Sequence, residues 1–145
     1  MRFDVENQLS VAQAFTGAAT VSTHSYDTQD ADADFTIGRR MALLVLPTVA
    51  QGAGSTMTVE VIEATDAALT TSIGVLSSVS VAAADMALGD QLEVPIPQGT
   101  KTKRYVGARV TLTGGTTTIT VDIYLVPQDE IAKFKSFPKV VSAEV

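Results

Sequence analysis

"RVTLTGGTTTITV", Arg109 through Val121, carries the most regular pattern in the chain. Apolar and polar residues alternate on both sides of Gly114-Gly115, and successive side chains on a strand point to opposite faces. Val106, Ala108, Val110 and Leu112 therefore share one face, and Thr117, Ile119, Val121, Ile123 and Leu125 share another. A two-residue Gly-Gly loop suits the positive φ of a primed turn. It predicts a hairpin with Thr113 opposite Thr116, Leu112 opposite Thr117, Val110 opposite Ile119, Ala108 opposite Val121 and Val106 opposite Ile123. A slip of one residue would set apolar against polar throughout. The other face holds Tyr105, Arg109, Thr111, Thr118, Thr120, Asp122 and Tyr124, with Tyr105 expected across from Tyr124 as an aromatic pair.

Working outward, the same punctuation recurs. "MALLVLPT" (Met41 to Thr48) is nearly all apolar, as for a strand buried on both faces, and "STMTVEVIE" (Ser55 to Glu63) sets Met57, Val59 and Val61 on one side. "IGVLSSVSV" (Ile73 to Val81), "QLEVPIP" (Gln91 to Pro97) and "ATVSTHSYD" (Ala19 to Asp27) are further strand candidates. Pro95 and Pro97 mark an edge or a strand end. About seven or eight strands at short spacing predict an all-β fold, a jelly roll or β-sandwich, rather than an α/β plan. Helix is scarce. "SVAQAF" (Ser10 to Phe15) has Ser and Gln at capping-box spacing and predicts one or two helical turns, and "VAAADMAL" (Val81 to Leu88) predicts another before Gly89. The expected organisation is one domain over 1–128, with an N-terminal arm, and an extended C-terminal tail over 129–145.

Composition narrows the function classes. The chain has 145 residues, 46% of them apolar, enough for one core. No apolar run approaches the roughly 18 to 20 residues that cross a bilayer, and Met1 to Ser10 lacks the apolar stretch of a secretory signal. A soluble protein with no membrane partner is expected. There is no Cys, which removes disulfides, thiolate nucleophiles and Cys-based zinc sites. A net charge of −6 and the absence of Trp argue against nucleic-acid binding, which needs clustered cations and stacking platforms.

Each candidate site has a plainer reading beside it. His24 is the single histidine, and no motif places a nucleophile or an orienting acid near it. Asp30, Asp32 and Asp34 alternate as in a calcium loop, but the sixth and twelfth positions from Asp30 hold Phe35 and Met41 where an EF-hand needs Gly and Glu. "GAGST" (Gly52 to Thr56) lacks the Lys and the following helix of a phosphate loop. No cofactor or metal is expected. The basic clusters at Arg39 and Arg40, and at Lys101, Lys103 and Arg104, read either as solvated loop ends or as attachment points for an acidic partner.

The order of "LSVAQAFTGAATVSTHSYD", "IGRRMALLVLPT", "TMTVEVIEATDAALTTS" and "VPIPQGTKTKRYVGARVTLTGG" resembles the capsid cement, or decoration, proteins of tailed double-stranded DNA bacteriophages, over about Leu9 to Gln128. Its most specific elements are Ser10, Gln13 and Ala14, then Pro97, Gly99, Arg104 and Tyr105, then the glycine turn that follows. The resemblance implies a jelly roll on the outer surface of the virion, made in the bacterial host cytoplasm, bridging copies of the major capsid protein as a homo-oligomer, a dimer or trimer. The insertion of Thr-Lys-Thr-Lys between Gly99 and Arg104 departs from the family's pattern, as does the length of the tail.

The expected role is thus structural and not enzymatic. Expected capsid or oligomer contacts are the arm (Phe3, Asp4, Val5), the basic clusters, and the tail (Lys133, Phe134, Lys135, Phe137, Lys139). A carbohydrate-binding β-sandwich is the alternative from another class, weakened by having three Tyr and no Trp for a sugar platform. A carboxylate-based hydrolase ranks lowest, because no nucleophile and base are brought together by any motif.

Overall fold

The computed structural model describes residues 7–31, 39–49, 54–98, 102–114 and 118–131. Within them the chain forms β1 (Gln8–Phe15), β2 (Thr20–Val21), β3 (Tyr26–Asp27), β4 (Met41–Pro47), β5 (Thr56–Ala64), β6 (Gly74–Ala82), β7 (Leu92–Pro95), β8 (Tyr105–Thr113) and β9 (Ile119–Pro127). A 3-10 turn at Ala83–Asp85 and a single helical turn at 128–131 complete the described elements. The expected all-β fold is an antiparallel sandwich. One sheet has the order β1-β9-β4-β7; the other has β2-β8-β5-β6, with β3 also on β8.

The alternating faces around the glycine pair lie where the sequence predicts, but the hairpin is not there. β8 belongs to one sheet and β9 to the other. Val106, Ala108, Val110 and Leu112 face Ile119, Val121, Ile123 and Leu125 through the common core instead of lying beside them. Of the expected turn, Gly115, Thr116 and Thr117 lie outside the described residues. The physical reason is competition for backbone partners. β5 takes up β8 from Thr56–Thr113 to Ala64–Tyr105, and β4 takes up β9 from Met41–Pro127 to Pro47–Val121. Two full ladders replace one, and both apolar faces are still buried. The expected Tyr105–Tyr124 pair falls with the hairpin: Tyr105 sits beside Asp27 and Ala64, and Tyr124 beside Gln8 and Leu44.

Other strands follow their patterns. On β5, Met57, Val59 and Val61 point into the core, and Ile62 and Ala64, on the opposite face by the strand's alternation, are covered by Leu69. β4 is buried on both faces as expected, with Leu43 and Val45 inward and Ala42 and Leu44 outward against Val126 and Ile131.

The expected helix over Ser10 to Phe15 is strand β1. Its Ser-x-x-Gln spacing is used, but differently: the Ser10 hydroxyl donates to Gln13 Oε1 at 2.6 Å across a bulge in which Ala12 has φ +43°. Asp122 Oδ1 accepts the Ala12 N–H at 2.6 Å, so β9 holds the bulge from the other side. The expected helix near Val81 to Leu88 shrinks to the 3-10 turn, whose Ala83 and neighbouring Met86 plug one end of the core.

Candidate contact surface

Two side chains close the open flanks of the sandwich. On one flank Gln13, on β1, gathers the chain that passes from β2 to β3. Its Oε1 accepts from the Thr23 N–H and the Thr23 hydroxyl, both at 3.0 Å, and its Nε2 donates to the Val21 carbonyl at 2.9 Å. Ser22 fills the gap between β2 and β3, its hydroxyl donating to the His24 carbonyl and accepting the Ala108 N–H. His24 belongs to this structural seam: its backbone N–H donates to the Leu9 carbonyl while its side chain is exposed. On the opposite flank the Ser77 hydroxyl donates to the Pro95 carbonyl at 2.7 Å, tying β6 to β7.

The described basic candidates converge on one end of the molecule. Antiparallel pairing puts the start of β4, the end of β9 and the end of β7 together, and likewise the start of β8, the end of β5, the start of β6 and β3. Arg39 and Arg40 precede β4, and Lys103 and Arg104 precede β8. Each is already engaged within the chain. Arg39 meets Asp129 at 3.1 Å and Glu130 at 3.2 Å, and Arg40 Nε donates to Gln98 Oε1 at 3.3 Å. Arg104 forms a two-point pair with Asp27 at 2.9 and 3.1 Å and stacks over Tyr105. Lys103 donates its backbone N–H to Glu63 at 2.9 Å and its ammonium to the Ser72 carbonyl.

The electrostatics follow from those contacts. The Arg104 hydrogen bonds hold the Asp27 carboxyl below the ordinary carboxylate range, helped by the Gln29 N–H. The Asp129 carboxylate raises Arg39, and Asp27 raises Arg104, so both stay cationic at any working pH. This end is therefore a set of loops pinned by the ion pairs of Arg39 and Arg104 and by the hydrogen bonds of Arg40 and Lys103 to neutral oxygens, rather than a bare basic patch. A fifth cation, Arg109, is locked to Glu60 at 2.9 and 3.1 Å on the outer face of the sheet.

Lys101 lies outside the described residues, as do Phe3, Asp4, Val5, Lys133, Phe134, Lys135, Phe137 and Lys139. Of the three spaced aspartates only Asp30 is described. Among the described residues no group of three or more His, Cys, Asp or Glu side chains is placed to hold a metal ion, and no helix is long and apolar enough to cross a membrane. All three tyrosines are half-buried: Tyr26 against the main core, Tyr105 against Ile62 and Leu69, and Tyr124 in the cluster around Leu44. None stands out as a flat sugar platform.

Sequence reading missed Gln13 and Ser22 as seam residues, although the Ser10–Gln13 spacing was visible. That segment is also among the most specific elements of the resemblance noted above. The Bbp16 family model matches residues 9–125, from β1 into β9 and across both sheets. The chain belongs to the Bbp16 family. The Bbp16 match thus takes in the Gln13 seam, the Ser77–Pro95 tie and the Arg104–Asp27 pair, while Asp129 and Glu130, the partners of Arg39, lie just beyond it. The family's name is phage-related. Among the curated proteins none matches the chain.

Proposed function

We propose that this chain is a structural protein of a tailed-phage virion, binding the outside of the capsid and cementing neighbouring copies of the major capsid protein. The observation that carries the reading is membership of the Bbp16 family over nearly the whole folded part of the chain. The physical character of the molecule is in keeping with it. Two antiparallel sheets, tied along both flanks, make a rigid body, and the Arg39 and Arg104 loops at one end are fixed by ion pairs. A cement acts by position and by number of contacts; linked weak attachments can raise avidity by about 10² to 10⁴ over one alone. In this role the protein works as a homo-oligomer, without cofactor, nucleic acid or membrane, and catalyses nothing. Its acidic balance of −6 keeps it from competing for packaged DNA.

The test is reconstitution. Heads lacking the protein are mixed with the purified chain, pelleted, washed and quantified against the shell protein. Saturation at a fixed ratio, together with greater resistance of the heads to heat, is the expected result. Recovery of the chain in the supernatant at every concentration overturns the proposal.

A further inference from the structure

Sheet edges present unpaired backbone groups, and proteins blunt them with irregularity, proline, charge or short length. Three of the edges here are blunted. β1 is interrupted by two register shifts, β2 and β3 are two residues each with a gap between them, and β7 has four residues and ends at Pro95. β6 is different. It runs for nine residues, "GVLSSVSVA", with neither a charge nor a proline and one irregularity near its start. The charge-free stretch lies between Asp66 and Asp85, from Ala67 to Ala84, in a chain of which 18% is charged.

The phase of the ladder shows which groups face outward. The Ala83 N–H donates to the Ser55 carbonyl at 2.8 Å, so Ser55 and Ala83 are a bonded pair. In an antiparallel ladder such pairs recur at every second residue. With the register Met57–Val81, Val59–Val79 and Val61–Ser77, these β6 residues turn their backbone groups to β5. Ser78, Ser80 and Ala82 turn theirs away, and no described strand takes them up. Beside this row the apolar side chains of Ile73 and Val75 are 37% and 48% exposed.

We propose that the outer edge of β6 pairs with the same edge of a second copy of this chain, antiparallel about a two-fold axis, fusing two five-stranded sheets into one. The proposal deepens the capsid reading by naming the surface that builds the oligomer, and the oligomer's relevance to shells rests on that reading. Two properties of the strand select a second copy. Each copy carries −6, so copies repel on average, and a strip without charge is where they approach at least cost. The strand also complements itself: centred on Val79, antiparallel pairing sets Ser78 opposite Ser80 of the second copy, twice over, and valine opposite valine. Such a contact is isologous and closes at two.

Sedimentation equilibrium of the full chain, from about 1 µM to about 500 µM, reads the proposal directly. A dimer is expected, and in the Ser78→Lys/Ser80→Lys variant, with like charges set opposite one another, a dissociation constant at least about tenfold higher. Circular dichroism checks that the variant is folded. Hydrogen exchange on the unaltered protein gives a second reading without any variant: the Ser78 and Ser80 amides exchange as slowly as Val79. A wild-type monomer or trimer across the range, a double variant that dimerises with the wild-type constant, or fast exchange at Ser78 and Ser80 overturns it. Particle binding on the same sample separates the two proposals. A dimer through β6 that ignores heads removes only the capsid reading, and a monomer that coats them removes only this one.

Discussion

Leu69 lies against the backbone of Gly107, so closely that a Cβ on Gly107 would fall 2.3 Å from Leu69 Cδ1. The loop after β5 folds back over the sheet to make this contact. Leu69 is buried there with Ile62 and Ala64, although its own φ of +59° is unfavourable for a residue with a side chain. Gly107→Ala is expected to destabilise the fold by about 1–3 kcal/mol through overpacking, and Leu69→Ala by about 2–5 kcal/mol through the cavity it leaves. Removing Leu69 also removes the clash, so the double variant costs less than the sum. Urea unfolding of the three variants measures this; strict additivity would mean the two residues do not meet.

The same loop predicts a pH limit. Asp66 accepts from the Thr70 hydroxyl at 2.6 Å, the Thr70 N–H at 2.9 Å and the Thr71 N–H at 2.8 Å. Those bonds, the Thr70 hydroxyl first, hold its carboxyl below the ordinary range, as Arg104 does for Asp27. A carboxylate depressed in the folded state binds fewer protons than in the unfolded chain. Its contribution is therefore present above the ordinary carboxylate value and is lost as pH falls through the folded one. Thermal melting from about pH 6 down to about pH 2.5 should show stability falling below about pH 4, with a shallower fall in Asp66→Asn and Asp27→Asn. An identical acid limb in both variants would remove these carboxylates from the cause.

Gln13 yields a prediction about the flank. Gln13→Leu keeps the bulk but removes the partners of the half-buried Val21 carbonyl and the exposed Thr23 N–H, and should cost about 0.5–1.5 kcal/mol. Loss of one seam frees β2 and β3 from β1, so hydrogen exchange should accelerate at Val21 and Thr23 before the core strands β5 and β8 respond. Uniform acceleration across both sheets would show that Gln13 supports the whole fold rather than this flank.

These residues also show where sequence reading stops. Alternation around Gly114 tells which side of each strand is apolar, and that reading of β8 and β9 holds. It does not tell whether two apolar faces lie side by side in one sheet or look at each other across a core, because both bury the same residues. That choice belonged to β4 and β5, distant competitors for the same backbone groups. The strand reading of β4, doubly buried, succeeded because no neighbour could alter it. The charge pairs were illegible for a related reason. Asp27 lies 77 residues from Arg104 and Asp129 lies 90 from Arg39, so "GRR" and "TKTKR" look unmatched until the fold brings their carboxylates in. Ser10 and Gln13 show a local signal read correctly as a pair and wrongly as a helix cap, since a bulge uses the same spacing.

The tail predictions depend on where the chain is cut. Ile131 is buried with Ala42, Leu44 and Val126, and Asp129 and Glu130 hold Arg39, so truncation before 132 would damage the sandwich itself. Deleting Lys133 to Val145 leaves those contacts in place. If Phe134 and Phe137, flanked by Lys133, Lys135 and Lys139, anchor the protein on its shell, this deletion should leave the melting temperature unchanged and weaken particle binding by about 10² or more, the factor expected when one of several linked grips is lost. Phe134→Ala/Phe137→Ala should reproduce most of that loss, and raising salt should reproduce the part owed to the lysines. Unchanged occupancy after the deletion would take the tail out of the attachment and leave it to the loops around Arg39, Arg40, Lys103 and Arg104, where Arg40→Glu is the next substitution to measure.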